Sequence, residues 1–218
     1  MRTMNTMTTL LAASGMFACM SVANADTTYS SSWEDTNSPA LLGTYGNVAD
    51  YGYDSANYHD GSNSVFMMED PLQSTPQGYL AWIHDLEVGD EVTVGIWAMG
   101  MDTGGTNSRG RLWHHYSDSE DITAYAGGGN GGTDTSYIGE GGEWTYGETT
   151  FTFTGDEGES MVIEGRVYAY GDNNMVWYDE MTITVNNDAA SVEMAGVPAP
   201  GALALLGLGG LVARRRRA

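Results

Sequence analysis

The sequence of 218 residues contains no lysine and a single cysteine, so cationic side chains and sulfur chemistry are both scarce. Its eight cationic residues are all arginines, against 29 aspartates and glutamates, and the formal net charge at pH 7 is −21. A field of that sign repels nucleic acid and anionic membranes and attracts cations. The sequence therefore predicts no nucleic-acid partner for the acidic part of the chain. No apolar run reaches the ~20 residues that a membrane-spanning helix usually takes.

The amino terminus has the three parts of a secretory signal peptide in their usual order. Met1-Arg2 supplies the positive start, residues 10–18 form a short apolar segment, and Ala23-Asn24-Ala25 is a small-x-small site before Asp26. Residues 1–25 are therefore predicted to be removed by cleavage between Ala25 and Asp26. Cys19 lies inside this segment, and its lipidation is a weaker alternative. Cleavage leaves no cysteine for a disulfide, thiol catalysis or a thiolate metal site.

The carboxyl terminus, residues 197–218, is an apolar segment between a proline pair and a block of positive charge. Pro198-Ala199-Pro200 is followed by the apolar residues 201–213 and then by four arginines, Arg214, Arg215, Arg216 and Arg217. As a helix the apolar run would be ~20 Å long, so it would cross a bilayer only with local thinning and arginine snorkelling. A basic nucleic-acid-binding tail is the competing interpretation. Export of the chain and the apolar run before the arginines disfavour it.

This order of prolines, apolar run and arginine cluster resembles the PEP-CTERM sorting signal of Gram-negative bacteria that make exopolysaccharide. Ala199 stands where the family's motif has glutamate. The resemblance implies an exosortase-type processing enzyme as a partner and transient anchoring in the inner membrane by a short apolar helix. It also implies a final location at the cell surface or in the extracellular matrix.

Residues 26–196 are predicted to form one acidic domain. They carry all 29 acidic residues and only three cations, Arg109, Arg111 and Arg166, which gives a formal charge of −26. About 170 residues suffice for a single domain with a full core. The acids are scattered along the chain, which favours a solvated surface adapted to salty water, where screening weakens self-repulsion. Calcium binding at one or two specific places is compatible with the same composition.

The acidic domain is predicted to be all-β. Short β-branched and aromatic runs alternate with turn signals, and no long stretch has the helical spacing of apolar residues. We predict a two-sheet antiparallel β-sandwich, most simply a jelly roll, with residues 127–132 as a flexible glycine-rich loop. The eight predicted strands are residues 64–68, 79–86, 91–101, 111–117, 122–126, 148–154, 161–170 and 175–185.

Five short motifs follow one another along the domain: Trp33-Glu34-Asp35, His59-Asp60-Gly61-Ser62, residues 83–97, Gly142-Glu143-Trp144 and Val176-Trp177-Tyr178-Asp179. Their order resembles the galactose-binding-domain-like jelly rolls, especially carbohydrate-binding modules of the xylan- and glucan-binding type. The resemblance covers most of residues 33–185. It implies the jelly-roll fold, and it implies carbohydrate as the ligand class.

The same resemblance implies a structural calcium ion. In those modules an acid near the first strand and an acid in the last strand often hold Ca²⁺, and the matching residues here are Glu34 and Asp179, with Asp60 as a third. Calcium takes six to eight hard oxygens, partly from carboxylates and partly from backbone carbonyls, so this residue set suits it. The alternative is that these are three of many acids on an acidic surface.

Side-chain alternation along the strands predicts a ligand-binding groove. Arg111, Trp113 and His115 share one side of their strand, as do Glu164, Arg166 and Tyr168 on theirs, and Trp97 lies opposite an apolar face. If these faces coincide, aromatic rings could stack on sugar rings while nearby polar groups bind the hydroxyls. The alternative is that Trp97 and Trp113 are core residues. The other tryptophans considered, Trp33, Trp144 and Trp177, are predicted to lie in the core or at its rim. The groove candidates are Trp97, Arg111, Trp113 and Tyr168.

No constellation of residues argues for catalysis. His114 and His115 point to opposite faces of one strand, which makes them a poor metal pair, and no Ser-His-Asp order or nucleophile elbow is present. Paired carboxylates for glycoside hydrolysis stay open, because the chain has 29 acidic residues. The sequence therefore predicts a non-enzymatic surface or exopolysaccharide-matrix protein that binds carbohydrate. A secreted polysaccharide-active enzyme and an ice- or mineral-binding surface protein are the alternatives.

Overall fold

The computed structural model describes residues 25–69, 76–102, 108–129, 137–155, 158–168 and 174–198. Within these ranges the chain forms twelve β-strands and no helix. The strands are β1 (Thr27–Ser31), β2 (Gly43–Tyr45), β3 (Val48–Asp54), β4 (Ser64–Glu69), β5 (Gln77–His84), β6 (Glu91–Gly100), β7 (Arg109–Ser117), β8 (Tyr125–Gly129), β9 (Thr145–Thr152), β10 (Ser160–Tyr168), β11 (Met175–Val185) and β12 (Ser191–Met194).

The strands form two antiparallel sheets that pack face to face. Sheet A has the order β3-β4-β11-β6-β9, with β1 paired to the second half of β11. Sheet B has the order β12-β5-β10-β7-β8, with β2 paired to β5. Most neighbours within a sheet are distant in sequence, as the crossing connections of a jelly roll require. The predicted all-β, two-sheet antiparallel sandwich is confirmed.

The hydrophobic core lies between the inner faces of the two sheets. Val92, Val94 and Ile96 of β6 alternate inward from sheet A and are fully buried. Leu112 and Tyr116 of β7 face them from sheet B. Burying a large apolar side chain stabilises the fold by ~1.5–3 kcal/mol, so alternating apolar residues fix which face of each strand is inside. The residues between them are thereby directed to the outer faces of the sandwich.

Eight of the twelve strands overlap the predicted strands, and four are additional. The additional strands β1, β2, β3 and β12 are short or polar, and they lie at or near the edges of the sheets. The sequence of β1, for example, is Thr-Thr-Tyr-Ser-Ser, which has no apolar alternation. Such strands form because a neighbouring strand offers unpaired backbone groups, and that information is absent from their own sequence.

The segment predicted to be a flexible glycine-rich loop is partly a strand. Residues 127–129 belong to β8, and they pair with His114, His115 and Tyr116 of β7. Gly128 has a φ of 145°, and a Cβ atom on it would lie 2.4 Å from the Cα atom of His115. Glycine is therefore required here because β8 approaches β7 closely. The loop prediction was wrong for residues 127–129, and residues 130–132 lie outside the described residues.

The predicted sorting segments lie largely outside the described residues. These are residues 1–24 of the signal peptide and the tail from Ala199 onward, which includes Pro200 and Arg214 to Arg217. Ala25 and Asp26 are exposed just before β1, and Pro198 follows β12. Among the described residues no helix is both long and apolar enough to cross a membrane. The cleavage sites and the short apolar C-terminal helix stay predictions.

Candidate functional site

The outer face of sheet B gathers polar and aromatic side chains from five strands. Leu112, His114 and Tyr116 of β7 are buried against the core, so the residues between them point outward. We call the outward-facing set the sheet B face, and it comprises Tyr45, Gln77, Tyr79, Arg109, Arg111, Trp113, His115, Tyr125, Tyr137, Glu164, Arg166 and Tyr168.

The register between β7 and β10 decides which side chains are neighbours on this face. Arg111 is directly opposite Arg166, and Trp113 is directly opposite Glu164. Opposed side chains in an antiparallel pair have Cβ atoms ~4.5–5.5 Å apart and therefore interact. Arg109 lies on the same face, opposite a tyrosine of β10. All three cations of residues 26–196 thus lie on the sheet B face.

Aromatic rings support these guanidinium groups. The Cζ atom of Arg166 lies 4.0 Å from the ring centroid of Trp113, and that of Arg111 lies 5.1 Å from the same ring. On the other side, the Cζ atom of Arg109 lies 3.9 Å from the ring centroid of Tyr137. Each such cation–π contact contributes ~0.5–1 kcal/mol at an exposed site and ~2 when desolvated. The contacts restrain both the arginines and the rings.

A buried carboxylate fixes the position of Arg166. Glu164 is fully buried, and its Oε2 atom accepts from Arg166 Nε at 2.8 Å, while its Oε1 atom lies 2.6 Å from Nδ1 of the buried His115. With its amide oriented to satisfy both neighbours, Gln77 donates to Glu164 at 2.9 and 3.1 Å and accepts from Arg166 Nη2 at 3.0 Å. A guanidinium held on several sides loses little further entropy when it binds a ligand.

A cavity of about 310 Å³ opens on the sheet B face beside Arg166. Its tyrosine walls differ in exposure, since Tyr45 and Tyr125 are 63% and 67% exposed, whereas Tyr79 is 4% exposed. Burial, reinforced by the nearby Glu164 carboxylate, raises the pKa of Tyr79 to about 12, so its hydroxyl stays protonated at neutral pH. The volume lies at the lower end of the range for small-molecule sites. The lining residues are Tyr45, Gln77, Tyr79, Thr123, Tyr125 and Arg166.

Three of the four predicted groove residues come together on this face. Arg111 and Trp113 are in contact, and Tyr168 lies near both Arg111 and Tyr137, with its ring centroid 4.9 Å from that of Tyr137. Trp113 is half-buried on the outer face and is absent from the core cluster. The alternative interpretation of Trp113 as a core residue was therefore wrong.

Trp97, the fourth predicted residue, lies in β6 of sheet A. Its ring stacks on His59 with the centroids 3.8 Å apart, and it has Tyr146 as a further neighbour at 5.7 Å. Trp97 therefore cannot contribute to a groove with Arg111 and Trp113, which are on the outer face of the opposite sheet. Strand alternation predicts which side of a sheet a residue occupies, but it does not predict which of two sheets the strand joins.

Several residues of the sheet B face were missed from the sequence. Gln77 and Tyr79 are two residues apart at the start of a strand, so side-chain alternation could have placed both on the same face of the sheet. Tyr45 and Tyr125 carry no such signal, because β2 has three residues and β8 is mostly glycine. Tyr137 precedes an isolated bridge between Ile138 and Gly110, which no local pattern announces.

The residues predicted to bind calcium converge on one loop. The Glu34 Oε1 atom accepts from the backbone N–H groups of Ser62 and Asn63 at 2.9 and 3.1 Å. The Asp179 Oδ2 atom accepts from the N–H groups of His59 and Asp60 at 2.8 and 3.3 Å. Two carboxylates that are far apart in sequence therefore hold residues 59–63 from either side.

This geometry directs the carboxylates toward backbone donors. Asp179 is fully buried, and burial raises the pKa of its carboxyl group, while the N–H donors of His59, Asp60 and Glu180 oppose that rise. Within the described ranges no group of three His, Cys, Asp or Glu side chains is arranged to hold a metal ion. The calcium site of Glu34, Asp60 and Asp179 stays a prediction, and the observed role of Glu34 and Asp179 is to order the loop.

The fold is similar to that of known sugar-binding domains, although no family model and no curated protein matches the chain. The CBM22-1 xylan-binding domain of Paenibacillus barcinonensis Xyn10C is similar with a TM-score of 0.51 and 13% identity, over 77% of this chain and 100% of that domain. The CBM22-1–CBM22-2 tandem domain of Xyn10C gives a TM-score of 0.52 and 13% identity, over 77% of this chain and 49% of the tandem.

At this level of identity the comparisons establish the fold alone. The described part of the chain has the jelly-roll architecture of carbohydrate-binding modules, in agreement with the fold that the ordered sequence motifs implied. One jelly-roll architecture hosts many functions, so the function has to be argued from the residues of the sheet B face.

Proposed function

We propose that this chain is a non-enzymatic, exported protein that binds a polysaccharide along the sheet B face. The observation that carries the proposal is the arrangement of Trp113, Tyr137 and Tyr168 beside three restrained arginines, continuous with the tyrosine-walled cavity at Arg166. Sugar rings present an apolar C–H face and a polar edge. A surface that alternates aromatic rings with fixed hydrogen-bonding groups complements both.

The hydrogen-bonding groups of the face are held in place before a ligand arrives. Arg166 is fixed by Glu164, Gln77 and the Trp113 ring, and the protonated hydroxyl of Tyr79 lines the same cavity. Preorganised donors lose little entropy on binding, which improves affinity without additional contact area. The similarity in fold to a xylan-binding domain supports the same assignment by analogy.

The position of Glu164, the carboxylate that binds Arg166 beside the cavity, favours binding without hydrolysis. A glycosidase needs two carboxyl groups on either side of the scissile bond, ~5–9.5 Å apart. Glu164 is fully buried and paired with both His115 and Arg166, so its carboxylate is not presented to a ligand in the cavity. The alternative of a polysaccharide-active enzyme predicts reducing ends released from a bound polymer, which a reducing-sugar assay measures.

Export and sorting are proposed from the two ends of the sequence. The predicted signal peptide of residues 1–25 would direct secretion, and the Pro198-Ala199-Pro200 tail with its arginines would direct processing by an exosortase-type enzyme after transient anchoring in the inner membrane. A polysaccharide-binding domain released at the surface of a Gram-negative-type bacterium would then reside in its exopolysaccharide matrix. This location gives the sheet B face an abundant ligand.

The proposal is tested by screening the purified protein on an array of plant, algal and bacterial polysaccharides, with Trp113→Ala as the matched variant. Binding that Trp113→Ala weakens, while the same substitution at Trp97 on the opposite sheet leaves it unchanged, supports the sheet B face. Absence of binding to every polysaccharide, or equal loss with both substitutions, contradicts the proposal.

A second candidate function, adsorption to ice or a mineral surface, is favoured by one observation. Four threonines on neighbouring strands lie side by side on the outer face of sheet A, in the order Thr28, Thr184, Thr93 and Thr150. The Oγ1 atoms are 2.9 Å apart within the first pair and within the second pair. The neighbouring row is interrupted by Gly95 and Glu148, which limits the regular area. Inhibition of ice recrystallisation would support this function.

A further inference from the structure

We propose that the sheet B face selects polysaccharides that carry carboxylate groups, with uronate residues of the polymer seated against Arg111 and Arg166. This inference rests on the proposed function and names its substrate class. It follows from where the chain places its few cations, how those cations are oriented, and what chemistry their guanidinium groups recognise.

The placement of positive charge is the first argument. Residues 26–196 carry 29 acids and three cations, and all three cations project from two adjacent strands onto the face that carries the aromatic rings. If the acids served only solubility in salty water, the cations could lie anywhere. Two of them are paired with acids, Arg166 with the buried Glu164 and Arg109 with Glu140 at 3.4 Å, and Arg111 adds a third cation beside them. Within a strongly acidic domain, this convergence makes the sheet B face the place where an anionic group meets the least repulsion.

The register supplies the second argument. Arg111 and Arg166 stand directly opposite each other, and like charges in that position destabilise a strand pair by a few tenths of a kcal/mol up to ~1 kcal/mol. Glu164 offsets part of this cost, because its Oε2 atom accepts from Arg166 Nε at 2.8 Å. A bound carboxylate near both guanidinium groups would reduce the repulsion further, which an uncharged ligand cannot do.

The orientation of Arg166 is the third argument. Its Nε atom binds the buried Glu164, its guanidinium lies over Trp113, and it lines the cavity. Guanidinium groups bind carboxylates through two parallel N–H···O bonds, which are shorter and roughly twice as strong as neutral hydrogen bonds. An uncharged sugar offers only hydroxyls and gains no such pair.

Single-stranded nucleic acid would also bring negative charge and flat rings, and its recognition uses the same residue types. The face offers three cations within a domain whose formal charge is −26, whereas nucleic-acid binding depends on neutralising many phosphates along a strand. A uronate polymer can present its carboxylates at intervals, with neutral sugar rings between them for the aromatic residues. The observations therefore favour the polysaccharide.

The test uses polymers that differ only in charge. Polygalacturonate and glucuronoxylan are each compared with the same polymer after its carboxyl groups have been reduced to hydroxymethyl groups, and oligo(dT) is a further arm. Affinities are measured by calorimetry at ~0.15 M salt, where charges beyond ~8 Å are largely screened. We expect at least one uronate polymer to bind at least about tenfold more tightly than its reduced partner.

Two variants and one control connect that preference to the arginine pair. Arg111→Gln should reduce the preference for the charged polymer several-fold, and Arg111→Lys should restore part of it, because lysine keeps the charge but lacks the planar fork. Val88→Asp changes the net charge by the same amount at an exposed turn position on another part of the domain, so it should leave the preference unchanged. Thermal melts show whether each variant is folded.

The outcomes separate this inference from the proposed function. Equal binding of a uronate polymer and its reduced partner overturns the inference and leaves carbohydrate binding intact. Tighter binding of oligo(dT) than of either uronate polymer also overturns it. Absence of binding to any polysaccharide overturns the proposed function, and the inference with it. A preference for charged polymers that Val88→Asp abolishes as strongly as Arg111→Gln would show a general charge effect and contradict the role of the pair.

Discussion

Arg111 and Arg166 face each other across β7 and β10, and both guanidinium groups lie over one indole ring, that of Trp113. Two like charges and an aromatic ring thus share a single patch on the outer face of sheet B. None of the three belongs to the hydrophobic core, to which these strands contribute the residues of the opposite face, such as Leu112 and Val167. The anionic polysaccharide that we propose as the ligand would complement all three, because it offers sugar rings, hydroxyl groups and negative charge.

Replacing Trp113 separates binding from folding. Because Trp113 is half-buried outside the core, Trp113→Ala should weaken polysaccharide binding about tenfold or more and lower the free energy of unfolding by less than ~2 kcal/mol. Trp33→Ala, at a fully buried tryptophan, should cost ~3–5 kcal/mol. Denaturant unfolding and calorimetric titration measure the two effects. A stability loss at Trp113 as large as that at Trp33 would show that its ring serves folding.

Removing the charge of Glu164 should disturb the site through Arg166. Glu164→Gln breaks a buried ion pair, and removing one partner of such a pair costs ~3–5 kcal/mol because the other charge stays buried without compensation. The double variant Glu164→Gln, Arg166→Gln should recover part of that loss, because no uncompensated charge remains. Denaturant unfolding of the two single variants and the double variant measures the coupling. Additive losses would mean that Glu164 does not position Arg166.

His114 should make the stability of the domain depend on pH. Burial in the core lowers the pKa of His114 from 6.5 to about 4. Above pH ~6.5 it is neutral in both states, and its full contribution is present. As the pH falls from 6.5 toward 4, the unfolded chain binds a proton that the folded chain rejects, so the free energy of unfolding falls by up to about 3 kcal/mol.

The variant His114→Phe isolates this effect. Its ring packs beside Phe151 as the imidazole does, so the domain should lose the part of its pH dependence between pH 6.5 and 4 that His114 causes. His84→Phe, the same substitution at a half-exposed histidine, is the matched control. Unfolding curves at pH 7 and pH 5 suffice. An unchanged pH dependence in His114→Phe would show that another group controls it.

Calcium, predicted from the sequence, is tested by thermal melting. A ligand that binds only the folded state stabilises it by mass action, so ~1 mM Ca²⁺ should raise the Tm if Glu34 and Asp179 help to hold the ion. Asp179→Ala should abolish that rise. The same variant also loses the N–H bonds to residues 59 and 60, so a lower Tm by itself is not evidence of calcium. A Tm that is equal in Ca²⁺ and in chelator contradicts the prediction.

The ends of the exported protein are tested by mass. Signal cleavage and tail processing predict an intact mass that begins at Asp26 and lacks Arg214 to Arg217. Mass spectrometry of protein extracted from the cell surface reads both ends at once. A mass that retains the arginines would contradict exosortase-type processing and leave the signal peptide unaffected.

Alternation within a strand was sufficient to predict the fold class and half of the site. Arg111, Trp113 and Arg166 were placed outward correctly, because the apolar residues on either side of them must face the core. Trp97 was misplaced, because alternation along a strand shows only which face of its own sheet a side chain occupies. The sheet that the strand joins is decided by its pairing with strands that are distant in sequence. The tyrosines of β2 and β8 were missed for a related reason. Their strands are defined by neighbours, and their own sequences are short or rich in glycine.

The most direct test of the sheet B face is an NMR titration that follows the indole N–H signals of the six tryptophans. The titrant is an oligosaccharide fragment of a polysaccharide that the protein binds. The account predicts that the signal of Trp113 shifts or broadens with the ligand concentration. The signal of Trp97, on the outer face of sheet A, should stay in place. A titration in which Trp97 moves and Trp113 does not would contradict binding at the sheet B face.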